Sequence, residues 1–175
     1  MSHAADSPSL ILEGAGGVEL AVQQARERRA GARALGAAAR LQTLDELAQV
    51  LAARDVEDLD RLMAAGLPFL STFLRRTMLE TVLAREFRDP AALEHFVGVD
   101  GRKAVRLVPR GLVCHWLAGN VPLLGLFSWA LSALVGNLNI IRLSSRQDDL
   151  LSPVLRRMTD LSPAGAQIAS ETWLV

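Results

Sequence analysis

Residues 112–145 read LVCHWLAGNVPLLGLFSWALSALVGNLNIIRLSS, and from Gly111 to Ile141 there is no Asp, Glu, Lys or Arg. A stretch this apolar is a membrane segment, a buried core or the wall of a site. Its polar breaks decide between them. A spanning helix needs about 20 predominantly apolar residues in one piece, and Gly119, Asn120 and Pro122 cut this one. Polar breaks at membrane depth are tolerated only when buried in protein. The pieces that remain have their own periods. Leu112–Leu117 is a short apolar run bounded by glycines, as expected of a buried strand. Val121–Val135 is apolar nearly all round and predicts a buried helix that ends at Gly136-Asn137. Asn139–Leu143 predicts a second buried strand. Parallel strands are covered on both faces and read as unbroken apolar runs, so the missing charges follow without a membrane.

Working outward, Asp148–Leu161 carries Leu150, Leu151, Val154, Leu155 and Met158 at helical spacing, and Thr172–Val175 reads as a third strand. Strand, helix, strand, helix, strand is the pattern of a parallel sheet. Upstream the chain is mostly helical. Ala, Arg, Glu and Gln dominate Val18–Leu41, with Gly31 and Gly36 as weak points, and residues 1–17 read as a loose leading segment. Thr43 and Glu46 have capping-box spacing, and Asp55–Ala65 predicts a short helix stopped near Gly66 and Pro68. Leu70, Phe73, Leu74, Met78, Val82 and Leu83 form one apolar stripe, read here as core packing. Asp89-Pro90 suits the start of a further helix toward Phe96. Lys103–Pro109 suggests a short strand before a turn at Pro109-Arg110-Gly111. The expected fold is α/β, with a mostly helical N-terminal region (residues 1–98) and then an incomplete cofactor-binding α/β lobe (residues 99–175), part of a Rossmann-like parallel βαβ unit.

The 175-residue chain balances 19 Lys+Arg against 19 Asp+Glu, which gives no footprint for nucleic acid. Half of its residues are hydrophobic, enough for a sizeable core. Cys114 is the only cysteine, so no disulfide forms within the chain. The N-terminus lacks the basic and apolar regions of a signal peptide, and a cytoplasmic location is expected.

Chemistry is expected where Ala118-Gly119-Asn120-Val121-Pro122 joins a strand end to a helix start, since open α/β sheets bind ligands at the carboxyl ends of their strands. Asn120 offers a neutral amide donor suited to an oxyanion. From spacing alone a helix N-cap is the commoner job for such an Asn. His115 has no second ligand at metal spacing, so it reads as a packed, hydrogen-bonded histidine and no metal is expected. Cys114 reads as an apolar strand cysteine facing away from His115.

The segment carrying His115, Gly119, Asn120, Val121, Pro122, Ser128, Gly136, Asn137, Ile140, Ile141, Ser144 and Ser145 resembles the LuxC-type acyl-CoA reductases of the aldehyde dehydrogenase superfamily. The motifs cover residues 111–146; the rest fits the family's layout loosely. The resemblance implies NADPH-dependent reduction of a fatty acyl thioester, from CoA or another carrier, to an aldehyde. A family cysteine attacks the thioester, and a hydride then reduces the acyl-enzyme. Asn120 matches the asparagine that helps hold the oxyanion. Arg142 and Ser144, with Ser145 beside them, fall where the strand end meets the cofactor's adenosine ribose.

Two departures stand against that pattern. The family usually has Lys where this chain has Arg142, whose planar fork suits a phosphate; an ordinary surface ion pair is the alternative. Ser144 and Ser145 read equally as cofactor contacts or as caps of the next turn. The family nucleophile lies far beyond the cofactor-binding segment, and Cys114 precedes Asn120. The chain is therefore expected to be the N-terminal, cofactor-side part of a longer enzyme, completed by the remainder of that enzyme or as a homo-oligomer. The alternative is a truncated, non-catalytic module that binds nucleotide or a partner.

Overall fold

The computed structural model describes residue 12 and residues 14–116, 123–143 and 149–175. The N-terminal part is helical: α1 (Gly14–Ala34), α2 (Ala37–Ala52), α3 (Leu59–Ala65), α4 (Leu67–Phe73) and α5 (Arg76–Glu86). A single 3-10 turn, Pro90–Leu93, follows, and then the antiparallel pair β1 (Val97–Gly98) and β2 (Ala104–Val105).

Several helix boundaries depart from expectation, and each has a local cause. Helix α1 begins at Gly14, inside the segment read as loose. The Thr43/Glu46 pair does not open a helix, because Thr43 lies in the middle of α2, where its hydroxyl donates to the Ala39 carbonyl at 2.9 Å. The N-terminus of α2 is instead capped from a distance: the Ala38 N–H donates to Glu94 Oε1 at 2.7 Å. Gly36 permits this approach, since a Cβ there would lie 2.6 Å from the Glu94 carboxylate. Asp45 likewise serves another helix, accepting the Arg76 N–H at 2.8 Å where α5 starts. The long stripe breaks at Leu74-Arg75 into α4 and α5. The break rephases it, so Leu79 is buried and Met78 is exposed. Asp89 caps as expected, accepting the Ala91 N–H at 2.9 Å, but the helix it opens is one turn long.

The C-terminal part matches the expected order: β3 (Leu112–Trp116), α6 (Leu124–Leu134), β4 (Leu138–Arg142), α7 (Leu151–Thr159), α8 (Pro163–Ser170) and β5 (Thr172–Leu174). The three strands form a parallel sheet in the order β3-β4-β5. Helix α8 was not anticipated, and its signal is short: the Ser162 hydroxyl accepts the Gly165 N–H at 3.1 Å, with Pro163 in the first turn. Helix α6 ends as expected. Gly136 (φ +84°) lets its own N–H reach the Ala133 carbonyl at 3.0 Å and that of Asn137 reach Ser132 at 3.1 Å. A Cβ at Gly136 would also lie 2.9 Å from Pro109 Cγ. Gly136→Ala is therefore expected to lose about 1–2 kcal/mol from the left-handed backbone alone, more with the contact, read as a lower urea midpoint. An unchanged midpoint would mean that this helix end carries no strain.

One face of the sheet meets α6, and the main core there runs from Leu41 through Leu126 and Trp129 to Ile141 and Leu174. The helices of residues 1–98 thus share a core with the sheet. On the other face Ala21, Ala25 and Ala32 of α1 pack on Leu138, Ile140 and Trp173. Helix α1 covers β4 and β5 and reaches β3 only at its first residue, Leu112. That corrects the expectation of two buried strands. β4 is buried from Leu138 to Ile141, whereas β3 is an edge strand with Cys114 and Trp116 exposed. Arg40, with no exposed surface, joins the layers by pairing with Glu171 at 2.7 Å. No described helix is long and apolar enough to cross a membrane.

Candidate active site at the strand ends

Asn120, Ser144 and Ser145 lie outside the described residues. The flanks of their segments are described. Residues 117–122 follow β3 and precede α6, and residues 144–148 follow the end of β4.

At the carboxyl end of β3, His115 is buried. Its Nδ1 lies 2.8 Å from the Ser128 Oγ of α6, and its Nε2 lies 3.0 Å from Asn139 Oδ1 on β4. The Asn139 amide nitrogen donates to the Asn137 carbonyl at 3.0 Å, which fixes that side chain's orientation. Asn139 Oδ1 is then the acceptor, so Nε2 carries the proton. In the neutral ring Nδ1 then accepts the Ser128 hydroxyl. The histidine therefore ties strand to helix across residues 117–122, as the sequence reading of a packed histidine anticipates.

A cleft of about 650 Å³ opens beside this network, between the end of α5, β3 and the outer face of α6. Leu83, Phe87 and Leu131 supply apolar wall, and Ser128 and Ser132 supply hydroxyls. Among the described residues, Ser132 and Ser152 have the buried hydroxyls without a hydrogen-bond partner.

Arg142 ends β4 and pairs in register with Trp116, the last residue of β3. Its guanidinium lies over the indole, 4.4 Å from the ring centroid. Both side chains are exposed, Trp116 to 79%. A cation thus stands at the carboxyl ends of adjacent parallel strands, the edge where open α/β sheets take ligands. Trp116 gives no periodic signal, and only the register shows what it meets.

Cys114 is exposed, which corrects its reading as a buried strand residue. It pairs in register with Ile140, on the face opposite His115. Its thiol therefore has no contact with that histidine as base. Iodoacetamide is expected to label Cys114 in the native chain, and the modified protein should keep its fold, as checked by intact mass and circular dichroism. Failure to label would restore the buried reading. Among the described residues, no group of three His, Cys, Asp or Glu side chains is placed to hold a metal.

A family model for acyl-CoA reductase of the LuxC type matches residues 36–171. The chain belongs to the LuxC acyl-CoA reductase family. The match includes the helical layer from α2 onward as well as β3 and β4, so it extends well upstream of residues 111–146, where the sequence motifs lie. Searches of curated proteins and of solved structures returned no match. LuxC membership gives this chain an acyl-CoA reductase-related role with an acyl group as substrate.

Proposed function

We propose that this LuxC-family chain forms the cofactor side and the oxyanion donor of an NADPH-dependent reductase that converts a fatty acyl thioester to an aldehyde. The family match over residues 36–171 carries the reading. The chemistry divides into two steps. A thiolate attacks the thioester carbonyl, and the CoA thiolate leaves to give an acyl-enzyme thioester. Addition of hydride to that carbonyl, followed by expulsion of the enzyme thiolate, releases the aldehyde. NADPH supplies the hydride when bound.

In this reading the Asn120 amide donates to the carbonyl oxygen as negative charge builds there. Arg142, with Ser144 and Ser145 after it, faces the adenosine ribose. The exposed guanidinium fits that role, because it is held at a strand end and presents N–H donors to an anion. Cys114 faces away from His115 on the edge strand, so that histidine is no base for its thiol and the attacking thiolate is not assigned to Cys114. The enzyme works in the cytoplasm.

The test is acyl-CoA-dependent oxidation of NADPH by the enzyme that contains this chain, with the aldehyde trapped as its hydrazone. NADPH oxidation without aldehyde would overturn the reading. Arg142→Ala is expected to raise the Kd for NADPH roughly tenfold or more while changing that for NADH little, since a charge-assisted bond contributes about 1.5–3 kcal/mol. Equal weakening of both would remove Arg142 from the 2′-phosphate.

The open edge of β3 and the exposed Trp116 favour a second reading, a non-catalytic module that binds nucleotide or a partner. Nucleotide binding without thioester reduction would select it.

A further inference from the structure

Two arginine–tryptophan stacks flank this sheet, and they differ in kind. Arg28 lies over Trp173 at 5.5 Å. Trp173 is 5% exposed, packs in the α1 layer and donates its indole N–H to Gln24 at 2.7 Å. Arg28 in turn donates to the Ser170 carbonyl. That stack is part of the packing between α1 and the sheet. The other is not. Trp116 is 79% exposed, Arg142 is exposed, and their separation of 4.4 Å is shorter. Among the described residues no carboxylate pairs with Arg142.

Stacking has a directional consequence. The five N–H donors of a guanidinium lie in its plane. An indole beneath the guanidinium carbon removes rotations of the long side chain, and the donors turned away from the ring stay free. Parallel register makes the arrangement stable, because Trp116 and Arg142 are direct partners at the ends of paired strands. Their side chains therefore leave the sheet on the same face. The product is a flat cationic fork at a fixed height above the strand ends. Such a fork matches two oxygens of a phosphate, whereas a lysine ammonium there would act as a point charge.

We infer that Trp116 is a positioning residue, which holds Arg142 as a preset fork for a phosphomonoester, the ribose 2′-phosphate that distinguishes NADPH from NADH. This rests on the cofactor reading above and adds the residue that sets its selectivity.

Binding to the chain is measured by calorimetry with adenosine 2′,5′-bisphosphate and 5′-AMP, which isolates the 2′-phosphate from any activity. The unsubstituted chain is expected to prefer the bisphosphate. Trp116→Ala should cut that preference roughly three- to fivefold, the effect of losing an exposed cation–π contact, and leave 5′-AMP binding unchanged. Trp116→Phe should keep most of the preference. In the Arg142→Ala background, removing Trp116 should change nothing further. Circular dichroism melts of each variant establish that it is folded. The inference is overturned if Trp116→Ala leaves the preference intact, if it weakens both nucleotides equally, or if it still acts without Arg142. In those cases the cofactor reading stands alone. If neither nucleotide binds the folded, unsubstituted chain at millimolar concentration, the cofactor reading falls and the inference falls with it.

Discussion

Glu171→Ala is expected to cost about 3–5 kcal/mol of stability, the usual penalty for stranding one member of a buried ion pair. Arg40 has no exposed surface and Glu171 only 2%, so the guanidinium left behind stays charged and out of water. For a chain of this size that loss lowers the melting temperature on the order of 10 °C, measurable by calorimetry or by the urea midpoint. A shift within about 0.5 kcal/mol, as for an ordinary surface substitution, would mean that the pair is solvated in solution.

Arg40 does more than neutralise Glu171. Its Nε donates to the Leu35 carbonyl at 3.1 Å, one terminal nitrogen to Ala133 at 3.1 Å and the other to Ala32 at 2.8 Å. Ala32 lies in the last turn of α1 and Ala133 in that of α6, so a single cation satisfies carbonyls at two helix C-termini, where positive charge is favoured. Glu171 is held in turn by the Gln167 amide at 2.9 Å, and its own carbonyl accepts the Asn139 N–H at 2.9 Å, beside the start of β5. The pair therefore fixes α1, α2, α6 and β5 against one another. Arg40→Met with Glu171→Leu removes both charges but leaves those carbonyls without their donor. It should recover part of the lost stability and not all of it. Full recovery would show that the carbonyl contacts contribute nothing.

That pair also shows where sequence reading stops. Arg40 is the single arginine of the alanine-rich α2, just after the arginine-rich α1, and Glu171 is 131 residues away; no local pattern links them. The sheet was legible because its cues are local: an uncharged run broken at Gly119–Pro122, a glycine after α6, and a leucine stripe on α7. Asp89 capped its own turn as read, but the Thr43/Glu46 cap failed because tertiary partners intervened. Glu94 took the start of α2 and Asp45 took the start of α5. Burial of β3 was misjudged for a related reason. An apolar composition shows that a strand suits a covered position, but only topology places it at the edge. Of the candidate site, His115 was readable as a satisfied histidine. Ser128 and Asn139 as its partners, and Trp116 under Arg142, required the register.

Asn120→Ala in the complete enzyme should reduce kcat about 10²–10³-fold, equivalent to about 2.7–4 kcal/mol in the barrier, if its amide is an oxyanion donor. If Asn120 only caps the turn that leads into α6, the same substitution costs about 1 kcal/mol of stability and leaves turnover near normal. Alanine alone removes both functions, so Asn120→Asp separates them. A carboxylate is a good N-cap and favours the positive end of the helix, so stability should be kept or raised. It donates no hydrogen bond when ionised and repels a developing oxyanion, so turnover should fall at least as far as with alanine. Retained stability with lost turnover assigns the amide to the reaction. Retained turnover in Asn120→Asp would leave it as a cap. The His115–Ser128 bond bears on the size of the effect, because it joins the end of β3 to α6 on either side of the segment that carries Asn120. Near-attack alignment is lost with displacements of about 1 Å. Ser128→Ala should thus lower kcat with less effect on KM, and Ser128→Thr, which keeps the hydroxyl, should restore it.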